Sequence, residues 1–293
     1  MAGSWPAVYW HRTAKAAHDR RVTMRFIANA RMYAVAPEAE AAWQALIVQI
    51  AAEAGVDLAY EAYPAPKPLE ELWRRPDLGL VQMCGYPIAL GLATVVPIAA
   101  LVPALPWAGG RPVYRTDLVV RADSPFRTLE DSFGHRLGWT VAHSHSGFNA
   151  LRHHLLPHAS ARGRPLYRTV QGELVTARKV LDSVLEGSID VGPLDAYWHA
   201  LIATYRPDIA AGIRVLDSTA QAPSPAFVAS PALPATAVAA LKEACAGAHR
   251  RPWFAALGNA LLLERLVDVS LADYATTRVW EQQALAAGYP APA

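Results

Sequence analysis

The chain has 293 residues, 53% hydrophobic and 18% charged, with a net charge of +2. It is too long for one small core and too apolar to be disordered. The near-balanced charge, with no run of Lys and Arg, excludes a nucleic-acid partner. The first strand is expected from Arg25 to Ala30, after an N-terminal extension, residues 1–21. A helix follows from Pro37, a good first-turn residue, with Ala41, Leu46, Ile47 and Ile50 inward and Gly55 near its end. Leu58 to Tyr63 reads as a strand, Leu69 to Arg74 as a short helix and Leu78 to Met83 as a strand running into Cys84-Gly85-Tyr86-Pro87. Thr94 to Val102 is a further strand, and the proline- and glycine-rich stretch from Pro103 to Pro112 a lobe boundary.

In the second half, Tyr114 to Arg121 is a strong strand, followed by a small helix at Leu129 to Phe133 and a buried strand at Leu137 to Ala142. Tyr167 to Val170, Ile189 to Val191, Ile213 to Leu216 and Phe227 to Ala229 are short strands. Helices are expected at Leu174 to Leu185, from Asp195 to Tyr205, and at Ala235 to Ala246 and Leu271 to Ala287. Strand and helix alternating at this spacing imply an α/β fold with mostly parallel sheets.

The chain is organised around residues 139–151. There an apolar run breaks into a Ser/Gly loop, and a helix starts with Phe148, Leu151, Leu155 and Leu156 on one face. Free backbone N–H groups and the positive end of a helix dipole suit an anion there; Ser146 reads equally as a plain N-cap. In open sheets ligands sit beyond the carboxyl ends of the strands. Four such ends carry polar or aromatic groups: Asn29 to Tyr33, Cys84 to Tyr86, His143 to Gly147, and Asp195 to Trp198. Two come from each half, which suits a cleft between two lobes.

The order and spacing of several segments carry a resemblance. They are Ala30-Arg-Met-Tyr33, Gln82-Met-Cys-Gly-Tyr-Pro87, Tyr114 opening the strand to Arg121-Ala-Asp123, Ser144-His-Ser-Gly-Phe-Asn-Ala-Leu151, and Gly187-Ser-Ile-Asp-Val-Gly-Pro-Leu-Asp195. Together they resemble the phosphate/phosphonate-type substrate-binding proteins of ABC transporters, over about residues 25–230. The resemblance implies a two-lobed, type II periplasmic-binding-protein-like fold. Lobe one would comprise residues 22–112 and 214–293, and lobe two residues 113–213, with crossings near Pro112–Tyr114 and Ile213–Leu216. It implies a ligand held by the helix start at Ser144, Ser146 and Gly147, by Tyr86 and Tyr114, and by Asp195. Tyr33, His145 and Arg178 are expected in the same pocket, with no cofactor and no metal. One departure is clear. Phosphonate binders commonly carry His-Glu at the start of the helix preceding Gly187, and here those positions are Ala177 and Arg178.

Each site residue has a second reading. Arg178 can clamp a carboxylate or phosphoryl group, or face solvent beside Lys179. Asp195 can cap its helix or accept a donor from the ligand. Asp190 is read as satisfying neighbouring backbone. Tyr86 and Tyr114 can donate hydroxyls or simply pack. His143 and His145 invite a metal, and Cys84 with His145 a nucleophile and its base, but neither pair has a third group at a fixed spacing.

Two functional classes remain. One is a binding protein that takes a small anion with a phosphate, phosphonate, sulfonate or carboxylate head group and works with an ABC permease or as an intracellular binding module. The other is a cytosolic lyase-like enzyme on the same fold, acting on a carboxylated substrate. The apolar run from Ile88 to Leu105 is interrupted by Pro97 and Pro103 and is rejected as a membrane span. Residues 1–24 show charges and no apolar stretch of signal-peptide length, so the expected location is cytoplasmic, or periplasmic if a signal was removed. Cys84 and Cys245 are expected reduced and unpaired.

Overall fold

The computed structural model describes residues 25–163 and 165–293. The extension expected at residues 1–21 lies outside them. Strands β1 (Phe26–Asn29), β2 (Leu58–Tyr60), β3 (Leu78–Met83) and β4 (Val96–Pro103) come first, with helices α1 (Pro37–Ala54), α2 (Leu69–Trp73) and α3 (Gly85–Leu90) between them. Next come β5 (Val113–Tyr114), β6 (Thr116–Arg121), β7 (Arg136–Gly138), β8 (Thr169–Gln171), β9 (Gly192–Asp195) and β10 (Ile213–Ser218). Helices α4 (Ala150–Arg162), α5 (Ala177–Leu185), α6 (Ala196–Tyr205) and α7 (Pro207–Ala210) belong to the same stretch. The chain closes with β11 (Ala222–Pro223), β12 (Ala226–Ala229), α8 (Ala235–Gly247), α9 (Phe254–Ala260), β13 (Leu263–Val267) and α10 (Ala275–Ala286).

Lobe one is built on a six-stranded sheet ordered β13-β4-β12-β3-β1-β2. β2, β1 and β3 are parallel, as expected of strands joined by helices. β12 and β13 return from elsewhere and enter antiparallel. β13 and α9 were not expected from the sequence; buried Leu263 and Leu266 tie β13 to the core. Lobe two holds a β10-β6-β9 sheet, antiparallel throughout, and a parallel β7–β8 pair linked to it by a single bridge from Leu137 to Val191. The strand expected at Ile189 to Val191 is thus replaced by β9, which starts three residues later, at Gly192.

Two chain crossings lie side by side, β5 pairing antiparallel with β11 through Tyr114↔Ala222 and Val113↔Pro223. The second crossing therefore follows β10 and does not fall at Ile213–Leu216, because β10 pairs with β6 along its length. The C-terminus also departs from its expected lobe. Arg152 donates to Pro290 O at 2.8 Å, Leu166 N–H to Ala293 O at 3.0 Å, and Asn149 Nδ2 to Thr277 O at 2.8 Å, so the tail from α10 onward is held on lobe two. Tyr86 Oη on α3 donates to Glu281 at 2.6 Å, so α10 touches both lobes.

The lobes also share apolar packing. Tyr33 meets Tyr197 edge-on with ring centroids 4.8 Å apart, and Trp43, Phe227, Leu194 and Leu201 belong to one continuous core. Cys84 and Cys245 are buried and unpaired. Among the described residues no helix is long and apolar enough to cross a membrane.

Candidate functional site

Three helix starts of lobe two line one cavity of about 490 Å³, and the first strand ends of lobe one form its other wall. The first start is the organising loop itself. The strand there stops at Gly138, not Ala142: Trp139 N–H makes the last bond to β8, at Gln171 O, and Ser144 N–H then turns back to Val141 O. Ser144 caps the helix, accepting the Gly147 N–H at 3.0 Å. Residues His145–Asn149 then form a wide turn closed by Asn149 N–H to Ser144 O at 3.0 Å, a π-type opening often found at functional sites. Gly147 is required here: an added Cβ would stand 1.9 Å from Thr140 Oγ1. Thr140 lines the cavity, and its hydroxyl is buried with no hydrogen-bond partner among the described residues.

The second start is α5. Its helix begins at Ala177, three residues later than the sequence suggests, because Glu173 (φ 55) and Val175 (φ 68) take left-handed backbone. A β-branched residue there is strained. Thr176 N–H closes the turn on Leu174 O at 2.8 Å, while Val175 N–H reaches Thr140 O at 3.3 Å, tying this loop to the first. Thr176 caps α5, accepting Lys179 N–H at 3.0 Å.

The third is α6, capped by buried Asp195. Its Oδ1 accepts Tyr197 N–H at 2.8 Å and Trp198 N–H at 3.1 Å, while Oδ2 accepts the Tyr33 hydroxyl from lobe one at 2.9 Å. Burial pushes this carboxyl up to about 6, against the pull of those three donors. The buried Tyr33 hydroxyl is pushed well above its ordinary value, first by burial and then by Asp195.

On the opposite wall, the Arg31 guanidinium lies 5.6 Å over the Tyr63 ring and bonds Lys67 O. His143, whose pKa burial lowers, sits 3.6 Å from Glu70 and edge-on to Trp73, so residues of both lobes meet beside the cavity.

Of the residues expected from the sequence, Tyr33, Ser144, Ser146, Arg178 and Asp195 line this cavity. Tyr86, Tyr114, His145 and Gly147 do not. Tyr86 was expected to share the pocket with Ser146. The helix starting at Gly85 instead carries it to Glu281, with its ring 6.4 Å from that of His145. Tyr114 is buried with its hydroxyl unpartnered. His145 is core: burial lowers it to about 3, and its ring packs among Tyr114 and Trp280. Arg178 stands at the rim, half exposed and paired with Asp182 at 2.8 Å. Asp190, as expected, accepts the Arg136 backbone N–H at 2.9 Å.

Arg31, Thr140, His143 and Thr176 also line the cavity but were not among the expected ligand-holding residues, although Arg31 and His143 lie in strand ends expected to face a ligand. Thr176, one residue before an amphipathic helix, carried a readable N-cap signal. Cys84 and His145 do not make a nucleophile and base, since burial pushes the thiol up to about 12 and holds the imidazole neutral. Among the described residues no group of three or more His, Cys, Asp or Glu side chains is placed to hold a metal.

The family described as "ABC transporter, phosphonate, periplasmic substrate-binding protein" matches residues 33–274. Among solved structures, the chain is similar to the binding protein component of an ABC phosphonate transporter from Pseudomonas aeruginosa, at 13% identity and TM-score 0.75, covering 90% of this chain and 88% of that one. It is similar to a Prochlorococcus marinus protein in complex with methylphosphonate, at 13% identity and TM-score 0.72, covering 89% and 98%. It is also similar to an ATP-bound protein from Xanthomonas citri, at 18% identity and TM-score 0.62, covering 91% and 98%. At such identities these likenesses carry the two-lobed fold. No curated protein matches the chain.

Proposed function

We propose, since the chain belongs to the periplasmic substrate-binding protein family of phosphonate ABC transporters, that its cleft holds a small oxyanion-bearing molecule and presents it to a permease. The observation that carries this reading is the helix start at Ser144–Gly147. Hydroxyls of Ser144, Ser146 and unpartnered Thr140 gather there at the positive end of a helix. Thr176, at the start of α5, adds a second such end to the same cavity. Arg31 brings positive charge from lobe one and Arg178 from the rim. A carboxylate, sulfonate, phosphate or phosphonate head group satisfies these donors, and phosphonate is favoured by the family.

Isothermal titration with methylphosphonate and with inorganic phosphate tests this. Ser146→Ala is expected to weaken binding by about 1.5–3 kcal/mol, the range of one charge-assisted hydrogen bond. Arg178→Ala is expected to cost under about 1 kcal/mol, because its guanidinium is exposed and already paired with Asp182. Unaltered affinity in Ser146→Ala would remove the head group from this loop.

The family is periplasmic, whereas the sequence-based expectation is a cytoplasmic location. Fractionation of host cells decides between them, and recovery in the periplasmic fraction rejects the cytoplasmic location.

A further inference from the structure

The cavity is far larger than a bare oxyanion requires. Methylphosphonate has five non-hydrogen atoms, and at no more than the roughly 30 Å³ of a water molecule each it fills about 150 Å³. The cavity measures about 490 Å³. The polar donors are concentrated on lobe two, whereas Met32, Val35, Tyr63, Leu69 and Trp73 give lobe one an apolar and aromatic wall. Tyr63 and Trp73 have their polar atoms turned away, to Pro68 O and Gln82 O at 2.9 Å each, so neither offers a ligand a hydrogen bond. Arg31 and Lys67 already lie over the Tyr63 ring and Trp73 is almost wholly buried, so the apolar surface open on that wall is Met32, Val35 and Leu69 with what the cations leave of Tyr63.

A cationic body is disfavoured as well. Asp195 already accepts three donors, and Glu40 is turned to the Tyr60 hydroxyl at 3.4 Å. Neither is a free carboxylate for an ammonium group, and Arg31 adds positive charge on that wall.

We infer that the ligand is an oxyanion with an aryl body, its head at Ser144–Gly147 and its ring against Leu69, Met32 and Tyr63. The inference rests on the anion reading above and narrows it from the family's head group to a class of whole molecule. The ring contributes by leaving water for an apolar wall, so the gain appears on comparing two ligands with the same head.

The test is isothermal titration of the full chain with phenylphosphonate and with methylphosphonate. Phenylphosphonate is expected to bind at least tenfold more tightly. In Tyr63→Ala, and separately in Leu69→Ala, that ratio is expected to fall below threefold, each variant being checked for folding by thermal melting. Methylphosphonate binding as tightly as phenylphosphonate, or a ratio unmoved in both variants, overturns the aryl assignment and leaves the anion reading standing. Binding of neither compound overturns the anion reading, and the aryl assignment falls with it.

Discussion

Replacing Gly147 by Ala is expected to destabilise the protein by about 1–3 kcal/mol and to abolish high-affinity ligand binding. The new methyl group would meet Thr140 Oγ1 at 1.9 Å and Thr140 Cβ and Cγ2 at 2.9 Å each. Rotating the threonine cannot relieve this, because its Cβ is itself too close, so backbone must move. Two loops are fastened at that point. Thr140 N–H donates to Gly147 O at 3.3 Å, and Thr140 O receives Val175 N–H. A shift therefore displaces the Ser144–Gly147 donors and the strained turn leading to Thr176 together. Urea unfolding with titration of methylphosphonate reads both effects. Thr140→Ala in the same chain removes the closest atom and is expected to restore part of the stability but not the full affinity. Gly147→Ala with wild-type stability and binding would show that this contact is not where the loops are held.

The second large effect concerns pH. Asp195→Asn is expected to stabilise the protein by up to about 3 kcal/mol at pH 7 and to leave it unchanged near pH 4. The carboxyl is raised from 3.8 to about 6 in the folded chain, a gap of about 2 pH units at roughly 1.4 kcal/mol each. Between those values the folded state keeps a proton that the unfolded state has lost. Its contribution is thus full below pH 4 and is lost as pH rises through 6, opposite to a salt-bridged aspartate. His145 works the other way. Its imidazole is lowered from 6.5 to about 3, so between those values the unfolded state alone takes up a proton, and stability falls as the solution is acidified.

The two slopes oppose each other from about pH 4 to 6 and nearly cancel. Asn caps a helix about as well as Asp, so the variant removes the falling slope and exposes the rising one, about 1.4 kcal/mol per pH unit. Urea unfolding of both proteins at pH 4, 5, 6 and 7 measures this. Parallel curves would mean that Asp195 titrates as an ordinary carboxylate.

The local signals that could be read were those that depend on neighbours in sequence. Pro37 and Gly55 bound α1 as expected, through a preset φ and a left-handed C-cap at φ 64. The Asp195 cap also lies where its residue type suggests, whereas the cap expected at Ser146 is made two positions earlier by Ser144. The alternation of apolar segments and helices was enough for an α/β chain, since burial periodicity is a property of each segment, while the two lobes were expected from the length, the strand ends divided between the halves and the resemblance.

What each cap residue faces was decided by packing between distant segments. His145 and Ser146 are adjacent in one loop, yet one is core and the other lines the cavity, because successive residues of a helical turn point in different directions and only one of these meets the cleft. Tyr86 was drawn from the cleft by Glu281, which lies 195 positions away. Asp195 acts on Tyr33 across 162 positions, and its raised pKa comes from burial between the lobes. Thr140 earns its place at the site only because Gly147 lies against it. Hydrogen bonds and desolvation of this kind depend on the final arrangement of both lobes, so capping and periodicity were written in the sequence while the assembly of the cleft was left to tertiary structure.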